Sequence, residues 1–153
     1  MLRLGLLLAL GVVVLDQITK ALVLGSLEEA VRVTPFLNLV LVWNRGVSFG
    51  MLDAGGTGTP WLLSGLALAV VIGLVLWLRR ADTRLVAIGL GLVIGGALGN
   101  VIDRVRFGAV VDFLDFHLAG FHWPAFNVAD SAICIGAAVL LVDGLRAPRR
   151  QYT

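Results

Sequence analysis

The sequence predicts a membrane all-α bundle of four transmembrane helices with a small extracytoplasmic β-sheet, on three observations. Apolar residues make up 59% of the 153-residue chain and charged residues only 14%, with a mean hydropathy of +0.97, whereas a soluble domain covers its surface with about 25% charged residues. Four segments are long and apolar enough to cross a hydrocarbon core of about 30 Å. A stretch between the first two is rich in β-branched and aromatic residues. A single integral membrane domain is expected over 1–153.

The first span, 4–24, follows Arg3 as a signal peptide would. Its apolar run is too long for one and lacks a convincing small-residue cleavage site, so it reads as a retained span interrupted by Asp16 and Lys20. The connection 25–59 holds Val31-Arg-Val-Thr34 and Phe36-Leu-Asn-Leu-Val-Leu-Val-Trp43, which predict a short sheet on the membrane surface, followed by Asn44-Arg-Gly46. Residues 53–59 (DAGGTGT) read as a flexible turn. The second span, 60–78, carries no charge and opens on Pro60, a permitted residue at a helix start. The third, 85–102, has Gly91, Gly95 and Gly99 at four-residue intervals with Gly96 beside them. Small residues let helix backbones approach closely in lipid, which predicts a central position for this helix. The fourth span covers 127–145. Arg3, then Arg79, Arg80 and Arg84, then Arg146, Arg149 and Arg150 fall on one side of this arrangement. Basic residues stay on the cytoplasmic side, so both termini are expected there and the connections 25–59 and 103–126 outside.

Twelve basic and ten acidic residues give a net charge of +2, too balanced to point to nucleic acid. Cys134 is the sole cysteine, which excludes an intramolecular disulfide and a cysteine-rich metal site. Within its apolar run it reads as a small buried packing residue. His117 and His122 lack the His-Glu-x-x-His spacing of a zinc peptidase and flank an aromatic stretch as surface residues.

An ionisable group at membrane depth costs about 2.5–3.5 kcal/mol on insertion scales, so each needs a reason. Asp16 and Lys20 stand four residues apart, the spacing of a helical ion pair, although direct chemistry is the alternative. Asn100, Asp103 and Arg104 share a face with Gly96 at the outer end of the third span. Asp103 and Arg104 read equally as interfacial charges that end the span. Asp112 sits in Ala109-Val-Val-Asp-Phe-Leu-Asp-Phe116, an apolar setting for a carboxylate, and Asp115 reads as a solvated loop residue. Asn127 or Asp130 can cap the fourth helix. Two carboxylates meeting at a water-accessible membrane surface would share a proton, one taking a proton from water while the other donates to a carbonyl. Ser48 or Ser131 with Lys20, the sole lysine, offers a serine–lysine alternative. A proton-coupled carrier using Asp16, Asp103, Asp112 and Asp130 is a third class, weakened by the short chain and the lack of inverted halves. A purely structural tetraspan protein leaves the cost of so many polar groups unexplained.

Five boxes run in order through the chain: Asp16-Gln-Ile-Thr-Lys20, Asn44-Arg-Gly-Val-Ser-Phe-Gly50, Gly95-Gly-Ala-Leu-Gly-Asn-Val-Ile-Asp-Arg104, Val110-Val-Asp-Phe113 and Pro124-Ala-Phe-Asn-Val-Ala-Asp130. Together they resemble lipoprotein signal peptidase, the signal peptidase II of bacteria. The resemblance implies an aspartic endopeptidase of the bacterial cytoplasmic membrane that uses no metal or cofactor and needs no obligate protein partner. Its substrate would be a diacylglyceryl-modified prolipoprotein, cut just before the lipidated cysteine, with a sheet that cradles it beside membrane lipid. Asp112 and Asp130 match the catalytic pair. Asp16, Lys20, Asn44, Gly46, Asn100, Asp103, Arg104 and Asn127 match positions that support the site or contact substrate.

Overall fold

The computed structural model describes residues 1–46 and 58–146. Ser48, residues 53–57 of the expected turn, Arg149 and Arg150 lie outside them. The described chain forms four helices, α1 (Leu2–Ser26), α2 (Thr59–Leu78), α3 (Arg84–Phe107) and α4 (Val128–Arg146), and four strands, β1 (Val31–Thr34), β2 (Leu37–Asn44), β3 (Val110–Leu118) and β4 (Phe121–His122). All four helices are long and apolar enough to cross a membrane. Their outward faces carry bare apolar side chains such as Leu7, Leu62, Leu66 and Leu141, a surface that suits lipid rather than water.

Three of the four helices both begin and end within two residues of the predicted bounds. The exception is α3, which continues five residues past 102 to Phe107. Asp103 and Arg104 therefore lie within the helix and do not terminate it. Its start is capped by the Thr83 hydroxyl, which accepts from Val86 N at 3.1 Å. Its end is closed by Gly108 at φ 72°, the left-handed position that favours glycine, with Arg104 and Arg106 in the last turn.

Helix α3 occupies the centre of the bundle and packs against the other three. A Cβ on Gly91 would sit 2.6 Å from Gly5 O, and one on Gly95 would sit 2.6 Å from Ala9 O, so two glycines bring α1 and α3 into backbone contact. On the opposite side Gly96 meets Ala129 of α4. The contacts advance in step along α1 and α3 and run in reverse along α4, giving an up-down arrangement. Gly95→Ala is expected to cost about 1–3 kcal/mol, the usual penalty of overpacking where backbone must move. Gly11→Ala and Gly73→Ala, whose Cβ positions are open, should leave the midpoint of thermal or detergent denaturation unchanged. An unaltered midpoint for Gly95→Ala would refute this packing account.

The strands form one antiparallel sheet in the order β1-β2-β3-β4. Strands β1 and β2 fall where the 25–59 pattern placed them, while β3 was not anticipated. Its sequence, Val-Val-Asp-Phe-Leu-Asp-Phe-His-Leu, is dense in β-branched and aromatic residues, but its polar residues interrupt the apolar run, and the sequence alone reads Asp112 as a site carboxylate, Asp115 as a loop residue and His117 as a surface residue. Opposite β3, β2 holds one extra residue. Leu39 pairs with Leu114 and Val42 with Asp112, a bulge that bends the strand. The sheet is attached where α1 and α3 end and where α4 begins, so it lies across one end of the bundle.

Candidate active site

The buried stripe of α1 runs through Gly5, Ala9, Val12, Asp16, Lys20 and Val23, in steps of three or four residues. Asp16 and Lys20 thus occupy the face turned to α3. Both are almost fully buried, and their carboxylate and ammonium meet at 2.9 Å. The predicted ion pair is present and is extended by a second carboxylate, Asp103 of α3, at 2.7 Å from Lys20 Nζ. Lys20 also donates to Asn100 Oδ1 at 3.2 Å. Each carboxylate reaches a backbone amide with a further oxygen contact. Asp16 Oδ1 accepts from Ala129 N at 3.0 Å, and Asp103 Oδ2 accepts from Val111 N at 3.1 Å. The buried triad therefore grips the chain one residue before Asp130 and one residue before Asp112.

Asn127 stands at the N-cap of α4 and bonds both of these acids. Its Oδ1 accepts from Asp130 N at 2.9 Å while Asp130 Oδ2 accepts from Asn127 N at 3.2 Å, a reciprocal capping pair. Its Nδ2 donates to Asp112 Oδ1 at 2.7 Å. The capping role and membership of the site, posed as competitors by the sequence, coexist in the same two side chains. Asn100 Nδ2 donates to the other Asp130 oxygen at 2.8 Å, and Asn44 Nδ2 donates to Asp112 Oδ2 at 3.0 Å. Asn44 Oδ1 in turn accepts from Gly46 N at 3.2 Å, and Gly46 O accepts from Arg104 Nη2 at 3.1 Å.

Asp112, Asp130, Asn44, Gly46, Asn100 and Arg104 line one cavity of about 890 Å³, whose remaining wall is largely apolar and aromatic. Asp112 is pushed up to about 7, first by burial and then by the charge of Asp130, against the hydrogen bonds from Asn44 and Asn127 and the charge of Lys20 that pull it down.

Several side chains depart from expectation. Cys134 is exposed and lines the cavity, because its position on α4 turns toward the space beneath the sheet. Asp115 is buried on β3 rather than solvated in a loop. Burial works to raise it, yet hydrogen bonds from His122 and Asn38 and the charges of His122 and His117 hold it below the usual carboxylate range. His122 Nδ1 lies 2.8 Å from Asp115, and its ring stacks on that of His117. Ser131 Oγ donates to Asn127 O at 3.0 Å. Lys20 spends its three donors on Asp16, Asp103 and Asn100, so an ammonium held by two carboxylates has no free base to offer Ser131. Asp16, Asp103, Asp112 and Asp130 gather in one cluster through Lys20, Asn100 and Asn127, rather than being spaced as a relay across the bundle. Gln17 was not singled out in the sequence. It stands inside the first box, and its neighbours Asp16 and Lys20 were the only signal.

Four membrane-length helices, a small antiparallel sheet and a cavity lined by two carboxylates define a polytopic membrane protein with a candidate active site. The family described as "Signal peptidase (SPase) II" matches residues 8–146, and the chain belongs to it. The lipoprotein signal peptidase of Ralstonia nicotianae is 51% identical over 149 residues, covering 94% of this chain and 86% of that protein. That of Methylorubrum extorquens is 47% identical over 156 residues, covering 99% and 91%. A solved structure described as a bacterial membrane enzyme, obtained by the in meso method at 2.3 Å, superposes with a TM-score of 0.83 at 30% identity, covering 97% of this chain and 93% of its own.

Proposed function

We propose that this protein is an aspartic endopeptidase that removes the signal peptide from diacylglyceryl-modified prolipoproteins, cutting just before the lipidated cysteine. The carrying observation is that Asp112 and Asp130, eighteen positions apart in sequence, are tied to the same Asn127 and face the same cavity. Membership of the signal peptidase II family supports the substrate class. Asp112, raised toward neutrality, holds the shared proton, and Asp130 takes a proton from water as its oxygen attacks the scissile carbonyl. The Asp112 proton passes to the carbonyl oxygen, giving a gem-diol. When the C–N bond breaks, Asp130 returns its proton to the leaving nitrogen and a diol hydroxyl reprotonates Asp112. No covalent intermediate forms.

The whole chain acts in this reading as one domain of the bacterial cytoplasmic membrane. The arginines at positions 3, 79, 80, 84 and 146 favour cytoplasmic termini. With the sheet at the opposite end of the bundle, the site would lie near the outer face, where acyl chains hold the modified cysteine. The apolar cavity wall suits those chains, and remote binding of this kind positions the bond for attack.

Purified protein given lipidated and unlipidated precursors should release signal peptide, read by mass spectrometry, from the lipidated one only. Equal cleavage of both would remove the lipid from the recognition. The rate should decline as pH rises through about 7, because ionising Asp112 beside Asp130 removes the shared proton. A group raised in the folded state contributes stability that is complete below its ordinary value of 3.8, declines from there and is gone once pH passes about 7, so the loss of stability should precede the loss of activity and level off where activity falls. A rate that stays level to pH 9 would contradict the role given to Asp112.

A further inference from the structure

We infer that Gln17, held from outside by Arg106, is a positioning residue that sets how Asp112 and Asp130 face each other. The inference rests on the aspartic reading above and adds to it a residue that touches neither carboxylate of the pair. Gln17 Nε2 donates to Asp103 Oδ1 at 2.9 Å and to Asp16 Oδ2 at 3.2 Å, and lies 3.4 Å from Gly99 O. Its Oε1 accepts from Arg106 Nη1 at 3.2 Å. With two carboxylates at one end and a guanidinium at the other, the amide can be oriented in only one way.

Lys20 already joins Asp16 to Asp103, and Gln17 joins them a second time. A single bridge would let the two carboxylates pivot about it, whereas two bridges fix their relative orientation. Asp103 holds Val111 N and Asp16 holds Ala129 N, so any pivot is passed to the adjoining residues Asp112 and Asp130. Charge requires the second bridge as well. Asp16, Lys20 and Asp103 sum to one negative charge in a buried place, and the Gln17 dipole points its N–H end at that charge and its oxygen at Arg106. The cation thereby acts on the triad without being buried. Arg106 also lies over the Phe107 ring, which packs edge-on to Trp43 of the cavity wall. That second route leads to substrate contact and would be felt in KM.

The test compares Gln17→Met, Arg106→Gln and the double variant with the unaltered full-length protein on a lipidated precursor peptide, alongside Asp112→Asn. Gln17→Met should lower kcat roughly tenfold with KM within about twofold. Arg106→Gln, a change at an exposed side chain that leaves folding intact, should lower kcat about threefold, and the double variant should be no slower than Gln17→Met alone. An unchanged kcat for Arg106→Gln, or a loss carried wholly by KM, overturns the inference. So does a Gln17→Met protein that melts earlier yet turns over normally, since that is a structural role only. If Asp112→Asn still cleaves, the aspartic reading fails instead, and the two failures are told apart in one experiment.

Discussion

Asp112→Asn and Asp130→Asn are each expected to abolish release of signal peptide from lipidated precursor, with a rate loss of at least about 10²–10⁴-fold, the usual contribution of a positioned acid or base. The neutral amide can neither hold the shared proton nor accept one from water. The two variants should differ in stability, and that difference separates chemistry from structure. Asp112→Asn removes a buried acid that is costly to ionise and sacrifices acceptor contacts to Asn44 and Asn127. Asp130→Asn keeps an oxygen that can still cap the first turn of α4. Both proteins should therefore remain folded in membranes, and near-normal turnover by either one would strike that residue from the pair.

Lys20→Met is expected to produce the largest loss of stability of any single change, about 3–5 kcal/mol, the cost of leaving buried charges without their partner. Two carboxylates, Asp16 and Asp103, would face each other with no cation between them. On sequence grounds alone this variant serves to distinguish a carboxylate pair from a serine–lysine mechanism, since a carboxylate pair predicts measurable residual activity. The geometry adds a condition, because Lys20 also anchors Asn100, which bonds Asp130. Activity has to be read per folded molecule, with the folded fraction measured by the denaturation midpoint. Asp16→Asn combined with Lys20→Met should recover part of the stability, since it removes one of the stranded charges. A midpoint for Lys20→Met equal to that of the unaltered protein would show that the triad contributes nothing to the bundle.

The four spans were legible because hydrocarbon leaves little choice. A helix in lipid needs an unbroken apolar run, and the glycine spacing of α3 marks where backbones touch. The Asp16–Lys20 pair was legible for a local reason, the pitch of one helix. Asp103 joining that pair was not, because it depends on how α1 and α3 rotate against each other. The extension of α3 to Phe107 was hidden by Asp103, Arg104 and Arg106, charges that normally end a span and here turn to a polar interior or to the helix end. Strand β3 was missed because pairing with β2 is a long-range property, and its composition drew attention to single residues. Cys134 was misplaced for a related reason. An apolar run does not say which side of a helix faces a cavity, and that is settled only when the sheet closes over α4.

The bulge in β2 divides the sheet into two panels that meet beside Asp112. The inner panel pairs Val42, Trp43 and Asn44 with Asp112, Val111 and Val110, while the outer one pairs Leu37, Asn38 and Leu39 with Phe116, Asp115 and Leu114. Removing the surplus residue at 40 or 41 would keep both sets of partners yet flatten the crease between them. The aperture above the carboxylates would change its tilt while Asn44 kept its grip on Asp112. Chain length at that single crease thus sets the angle between the two panels without altering the partners of Asn44 or Asp112.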